Sequence, residues 1–201
     1  VDHRILKTFA DDAAFTKLCD EARKYNFKMV AINPAQTVRC KEKLKDSLVH
    51  VGAAIGFPLG QTTLEVRSFE TKDAIKKGAD EIDYVINVAE LKNKNYDYIK
   101  KRDGRDRKKR KEAGKISKVI FENCYLTDDE KVKVAEIAKE VKPDFIKTST
   151  GFGTGGATVE DVKLMNLLLE MSKSKSSRRN QRSKNSLAMI EAGAERLGTS
   201  A

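Results

Sequence analysis

Short apolar runs rich in β-branched residues recur along the chain, each followed by a longer amphipathic stretch, at spacings of about 20–35 residues. The runs at 27–33, 49–57, 81–88, 118–124, 144–150 and 196–199 read as strands, with 1–6 as a further candidate. Several are apolar at successive positions, as expected of a parallel sheet covered on both faces by helices. Between them, 13–25, 35–44, 63–77, 128–141, 159–171 and 187–192 read as helices. Thr127 with Glu130 makes a capping box, after which Val134, Ile137, Ala138 and Val141 form one apolar face. Thr158 with Asp161 is a similar start, and Gly78 and Gly193 suit the position just past a helix, where φ is positive. Strand, helix, strand alternation predicts an α/β fold. With room for one more strand near 173–177, eight strands would close a (β/α)8 TIM barrel, incomplete at the C-terminus if that segment or a final helix fails to form. An open doubly wound sheet is the rival, but no G-x-G-x-x-G follows an early strand.

Composition narrows the class. A chain of 201 residues fits one domain, 1–201, and 39% apolar content with 6% aromatics suffices for a core of Val, Ile, Leu and Ala. The net charge of +10 invites a nucleic-acid reading until its placement is examined. Residues 100–118 carry +8 and 173–184 carry +6, which leaves −4 for everything else. The scaffold is therefore not a basic body, and nucleic acid is not the expected partner. Cys19, Cys40 and Cys124 show no C-x-x-C spacing, and His3 and His50 are the only histidines, so no zinc set assembles at standard spacing. A reduced, cytoplasmic protein with no metal and no cofactor is the expectation, and no apolar run approaches the roughly 20 residues that span a bilayer.

In a parallel barrel the carboxyl ends of the strands carry the chemistry. The most informative strand reads Asp144-Phe145-Ile146-Lys147-Thr148-Ser149-Thr150 and runs into a loop with glycines at 151, 153, 155 and 156. A lysine inside a packed strand is costly unless its pKa falls, and a lowered pKa supplies the free amine that attacks a carbonyl. By spacing alone Lys147 either does this or snorkels to solvent. The glycines let backbone amides approach an oxyanion, or simply make a flexible connection. In 81–88, alternation puts Asp83, Val85 and Asn87 on one face, so Asp83 and Asn87 could share the barrel interior, whereas Asp80 and Glu81 read as a solvated loop. Glu122 reads as a carboxylate at the mouth or an ion-pair partner, and Cys124 as packing.

Taken together, these segments resemble the deoxyribose-phosphate aldolases. The likeness rests on Val1-Asp2-His3 with Leu6-Lys7, Ile32-Asn33-Pro34, Ile55-Gly56-Phe57-Pro58-Leu59-Gly60, Gly78-Ala79-Asp80-Glu81-Ile82-Asp83, Val119-Ile120-Phe121-Glu122 and the run from Asp144 to Met165, with Lys147-Thr148-Ser149-Thr150-Gly151-Phe152 the most specific. The resemblance implies a class I aldolase, a carbon–carbon lyase that cleaves 2-deoxy-D-ribose 5-phosphate reversibly to acetaldehyde and D-glyceraldehyde 3-phosphate. Lys147 would be the Schiff-base lysine and Asp83 the acid/base aspartate, with phosphate near Gly151 and near Gly198 to Ser200. A sugar phosphate and an aldehyde are the implied partners, and a homodimer or homotetramer the implied assembly. A second lysine is implied on the next-to-last strand. Gapless counting back from Leu187 gives Lys175, with Lys173 as the alternative register. There the expected glycines and apolar residues are replaced by Ser176-Ser177-Arg178-Arg179-Asn180-Gln181, making 172–186 an atypical basic segment. The segment 100–115 is the other; with almost no apolar residue it reads as exposed or disordered, not as a barrel helix. Two other functions fit the pattern less well: a catalytically impaired barrel whose basic segments bind polyanions, and a phosphate-binding barrel isomerase that forms no imine.

Overall fold

The computed structural model describes residues 1–105, 107–170, 175–179 and 183–200. Eight parallel strands close a barrel in sequence order: β1 Asp2–Ile5, β2 Met29–Ile32, β3 His50–Ile55, β4 Glu81–Val85, β5 Ile116–Ile120, β6 Phe145–Lys147, β7 Lys175–Arg179 and β8 Arg196–Ser200. The last strand pairs with the first, Gly198 opposite Asp2 and Ser200 opposite Arg4, so no sheet edge is left open. The strand wanted near 173–177 forms as β7 despite its polar sequence, held between β6 and β8 by register pairs such as Lys147 with Ser177 and Arg179 with Gly198. Pairing on both sides supplies backbone hydrogen bonds that do not depend on side-chain polarity. No helix follows β8 among the described residues.

The outward strand residues pack on the helices in two large clusters. Val30, Ile32 and Val51 meet Phe15, Leu18 and Ala22 of α1, Asp12–Lys24, and Cys40 of α2, Thr37–Lys43. Ile82, Tyr84, Val119 and Ile146 join a second cluster with Ala74 of α3, Leu64–Lys76, and with α7, Asp128–Val141. Helix α4, Val88–Lys92, precedes the basic stretch; α8, Val159–Glu170, and α9, Ser183–Glu191, flank β7. The capping box at Thr127 forms as expected, with Thr127 Oγ1 accepting from Glu130 N and Glu130 accepting from Thr127 N. Gly78 and Gly193 have φ of 99° and 95°. Thr127→Ala removes one of the two cap bonds and is expected to lower stability by about 1 kcal/mol, read from the urea midpoint.

The expectation for 100–115 holds for the exposure of Lys100, Lys101, Arg105 and the stretch 111–114, but not for Arg102 and Asp103, which are buried. The chain there makes α5, Tyr96–Gly104, and α6, Arg107–Glu112. In place of an apolar stripe α5 buries Ile99 with Arg102 and Asp103. Arg102 reaches under the barrel mouth and donates to Val85 O and Gly60 O, both at 2.8 Å. Arg67 of α3 pairs with Asp103 at 3.5 Å and lies over the Tyr84 ring, 4.7 Å from its centroid. A buried guanidinium is tolerable when its donors meet carbonyls and a carboxylate, which is why the apolar count underestimates this helix.

Candidate active site

Alternation along the strands decides what faces the barrel axis. In β4, Ile82 and Tyr84 turn outward into the second cluster, so Glu81, Asp83 and Val85 turn inward. Cα register sets Asp83 beside Lys118 of β5, and Ile120 beside Lys147 of β6. The same parity turns Asp2 and Arg4 of β1 and Arg196 of β8 to the axis, while His3 turns outward to Glu21 of α1 at 2.7 Å.

These inward side chains assemble into one buried ionic network. Asp83 is its centre: Oδ1 accepts from Lys118 Nζ at 2.8 Å and Oδ2 from Lys147 Nζ at 2.9 Å. Lys118 also pairs with Glu81 and lies 3.0 Å from Met29 Sδ. Glu81 accepts from Arg196 Nη1 at 2.9 Å and contacts His50 Nδ1 at 2.7 Å, and Arg196 Nε donates to Asp2 Oδ1 at 2.9 Å. Burial alone would push the Asp83 carboxyl up, but the Lys118 and Lys147 ammonium groups outweigh it and hold Asp83 well below the usual carboxylate range. Burial opposes ionisation of Glu81 too, and Lys118 with Arg196 overcomes it. Lys118, wholly enclosed, loses hydration, yet Asp83, Asp2 and Glu81 raise its pKa and keep it charged.

Two lysines thus share one carboxylate, and access distinguishes them. Lys118 is 0% exposed, with Asp83, Glu81 and Met29 around its amine. Lys147 is 6% exposed and stands at the carboxyl end of its strand, directly below the loop that forms the mouth. Lys147 is therefore the reachable amine and Lys118 the fixed cation.

Two cavities share Phe152 in their walls near the loop after β6. One, of about 590 Å³, is lined by Arg4, Lys7, Lys17, Gly151 and Ser200 among others. The other, of about 490 Å³, lies against Leu59, Val85, Glu122, Tyr125 and Thr150. Glu122 has φ of 56° and accepts from Thr150 N at 3.2 Å; burial pushes its carboxyl up. It pins the loop after β6, and a Cβ at Gly153 would come within 2.6 Å of Cys124 Sγ and 3.2 Å of the Glu122 carboxyl, so the close approach requires glycine.

The structure brings Lys147 and Asp83 together and sets Gly151 and Ser200 on one cavity. Gly198 is a register partner of Asp2, one layer below Ser200. Lys175 has a described backbone in β7, opposite Phe145, two residues before the Ser177 that faces Lys147 in register; Lys173 lies outside the described residues. Asn87 does not share the interior with Asp83: its side chain caps α4 by accepting from Glu90 N at 3.2 Å. Glu81 is no solvated loop residue but 0% exposed. Sequence reasoning missed it together with Lys118, Arg196, Asp2 and Arg4. The signal was available as parity, since Glu81 sits two positions before Asp83 and Lys118 sits one position before outward-facing Val119 in β5.

The family model described as DeoC/LacD family aldolase matches residues 1–175. The chain belongs to the DeoC/LacD aldolase family. Within that family, the deoxyribose-phosphate aldolase of Lactobacillus acidophilus is 56% identical over all of this chain and 85% of its own length. The deoxyribose-phosphate aldolase of Thermococcus gammatolerans is 49% identical over all of this chain and 90% of its own. A tetrameric deoxyribose phosphate aldolase from Aeropyrum pernix superposes with a TM-score of 0.91 at 26% identity, covering 98% of this chain and 84% of that one. Among the described residues no helix is long and apolar enough to cross a membrane.

Proposed function

We propose that this chain cleaves 2-deoxy-D-ribose 5-phosphate reversibly to D-glyceraldehyde 3-phosphate and acetaldehyde, through an imine on Lys147. The observation that carries the reading is Lys147 Nζ, the more exposed of the two buried lysine amines among the described residues, 2.9 Å from a buried carboxylate whose other oxygen is held by Lys118. Lys147 Nζ adds to the C1 carbonyl, and loss of water from the carbinolamine gives the iminium. The C2–C3 bond then breaks; its electron pair moves into the C1–C2 double bond of an enamine, and the C3 hydroxyl proton passes to a water relayed to Asp83, the acid/base role the resemblance gives it, as that carbon becomes the aldehyde of glyceraldehyde 3-phosphate. Protonation at C2 and hydrolysis of the imine release acetaldehyde.

The network contributes charge at each stage. Among the described residues Asp2, Glu81 and Asp83 face Lys118, Arg196 and, once the imine forms, the iminium nitrogen at 147. An iminium preserves this balance, whereas the enamine leaves one uncompensated carboxylate in a low-dielectric interior, which favours regaining a proton. Asp83, ionised in the resting site, stabilises the cationic intermediates and, in the acid/base role the resemblance gives it, relays protons through water at the imine; Lys175 is assigned the second-lysine role by resemblance alone. Gly151, Gly198 and Ser200 take the phosphate, with amide and hydroxyl donors suited to an anion. A homodimer or homotetramer in the cytoplasm, built from one domain spanning 1–201, completes the reading; the tetrameric Aeropyrum relative supports the assembly.

Borohydride added with acetaldehyde should fix a C2H4 increment on Lys147, located by peptide mass spectrometry. Trapping on another lysine, or on none, would overturn the assignment.

A further inference from the structure

The end of the barrel opposite the mouth carries a group of cations that the aldol chemistry does not use. A cavity of about 350 Å³ lies beside the amino ends of β5 and β6, with Arg107, Lys111, Lys115, Lys142, Ser117 and Asp144 in its lining. Arg107 and Lys111 are about one helical turn apart on α6 and share a face. Gly114, with φ of 64°, turns the chain from α6 into β5 and sets Lys115 on the same wall. Lys142 comes from a separate segment, the cap of α7, where its φ of 54° is one that glycine adopts more readily. Little negative charge answers these cations. Asp144 is the one carboxylate in the lining among the described residues, and its Oδ2 accepts from Ser117 N at 2.8 Å and from Ser117 Oγ at 3.0 Å. Asp80 lies 3.8 Å from Lys115 but is held by Lys41 at 3.0 Å. Arg107 and Lys115 are half-buried, and a concave, partly desolvated wall concentrates the surplus positive field.

The geometry points to an anion site at the foot of the barrel that takes a diphosphate group, either free or at the end of a nucleoside. Its cations come from two segments, 107–115 and 142, that meet only in the folded barrel, and their like charges repel one another until an anion lies between them. A diphosphate spreads its oxygens over two adjacent phosphorus centres, so it can meet the Arg107 fork and the lysine point charges together, which a single phosphate does less completely. The cavity is at the small end of the roughly 300–1,000 Å³ of ligand pockets, a size that suits the anionic group and leaves a nucleoside outside it. Asp144 stands three residues before Lys147, just before the first residue of β6, whereas Lys147 is its last. An anion at the foot therefore leaves the imine end open, and the inference does not depend on the aldolase reading.

Calorimetric titration of the whole chain with pyrophosphate, ADP and orthophosphate at low salt tests this. Pyrophosphate should bind at least about 10-fold more tightly than orthophosphate and weaken as salt is added. In the double variant Arg107→Gln, Lys142→Gln its Kd should rise by about 10- to 100-fold, since two charge-assisted contacts are lost. Lys142→Gly, which suits the backbone at that position, should raise Kd by about 3- to 10-fold without loss of stability, and so reads the cation apart from folding. Lys24→Gln with Lys45→Gln removes the same charge from exposed lysines outside the cavity and should change Kd by less than about 3-fold. Equal weakening in the two double variants would reduce the effect to net charge and overturn the inference. Weakening in Arg4→Met but not in the Arg107, Lys142 variant would place the anion in the mouth cavity and overturn it too. ADP binding as tightly as pyrophosphate identifies the nucleoside form as a ligand, and binding of pyrophosphate alone identifies the free anion; both uphold the site. No binding of either below a Kd of about 1 mM sinks it, as does tighter binding of single-stranded RNA than of either diphosphate, which would make this face a nucleic-acid surface.

Discussion

Lys147→Ala is expected to lower kcat/KM for 2-deoxyribose 5-phosphate by at least about 10⁴-fold and to abolish the borohydride adduct, because the other buried lysine among the described residues, Lys118, has no exposed surface. The comparison that isolates the chemistry is Lys147→Arg. A guanidinium keeps a cation near Asp83 but stays protonated, so it cannot attack a carbonyl. If the amine's role is covalent, Lys147→Arg should be as inactive as Lys147→Ala while its unfolding midpoint stays closer to the parent's. Retention of more than about one-hundredth of the parent activity in either variant would mean that the reaction does not pass through this lysine. Loss of both activity and stability to the same extent in the two variants would instead point to packing around residue 147.

The barrel was legible because its outward strand positions and inward helix positions are apolar at the right periods. The runs around Val30, Ile82 and Val119 announce strands whichever way their intervening residues point. The reactive lysine was legible for the opposite reason, a charge breaking an apolar run, as was Asp83. Glu81 breaks the pattern too, but at the start of β4, where a charge normally reaches solvent, and Lys118 stands at the head of the apolar run read from sequence although it is the middle residue of β5; only the fold brings them together inside the barrel. Helix α5 was illegible because its buried face joins a single isoleucine, Ile99, to an arginine and an aspartate, whose partners Val85 O, Gly60 O and Arg67 are remote in sequence. Strand β7 was hidden likewise, since its backbone pairs with β6 and β8 without an apolar signature. The missed elements share one property: their stabilising contacts are polar and non-local, and neither periodicity nor composition records such contacts.

Lys118 gives that property its sharpest expression. Lys118→Met keeps much of the volume and removes the charge, leaving Glu81 and Asp83 buried with one cation fewer, and the expected loss is about 3–5 kcal/mol of unfolding free energy. The pH dependence separates this electrostatic loss from a packing defect. In the parent, Asp83 and Glu81 are held below their usual range, so the stability they contribute is present above the ordinary carboxylate pKa of about 4 and is lost as pH falls through their lower folded values. In Lys118→Met the burial that opposes ionisation is no longer balanced, and protonating one carboxyl relieves it. The deficit relative to the parent should therefore be largest near neutrality and shrink on acidification toward about pH 5, as read from urea midpoints across that range. Glu81→Gln introduced into Lys118→Met removes one of the stranded charges and should recover part of the loss at neutral pH, a coupling absent if Lys118 acted only as filler. A deficit under about 1 kcal/mol, or one that stays constant from pH 5 to pH 8, would show that the carboxylates do not depend on Lys118. The same substitution is also expected to leave Lys147 as the sole ammonium on Asp83, tightening that pair and slowing imine formation; a rate of acetaldehyde trapping equal to the parent's would show that the two lysines do not compete for the carboxylate.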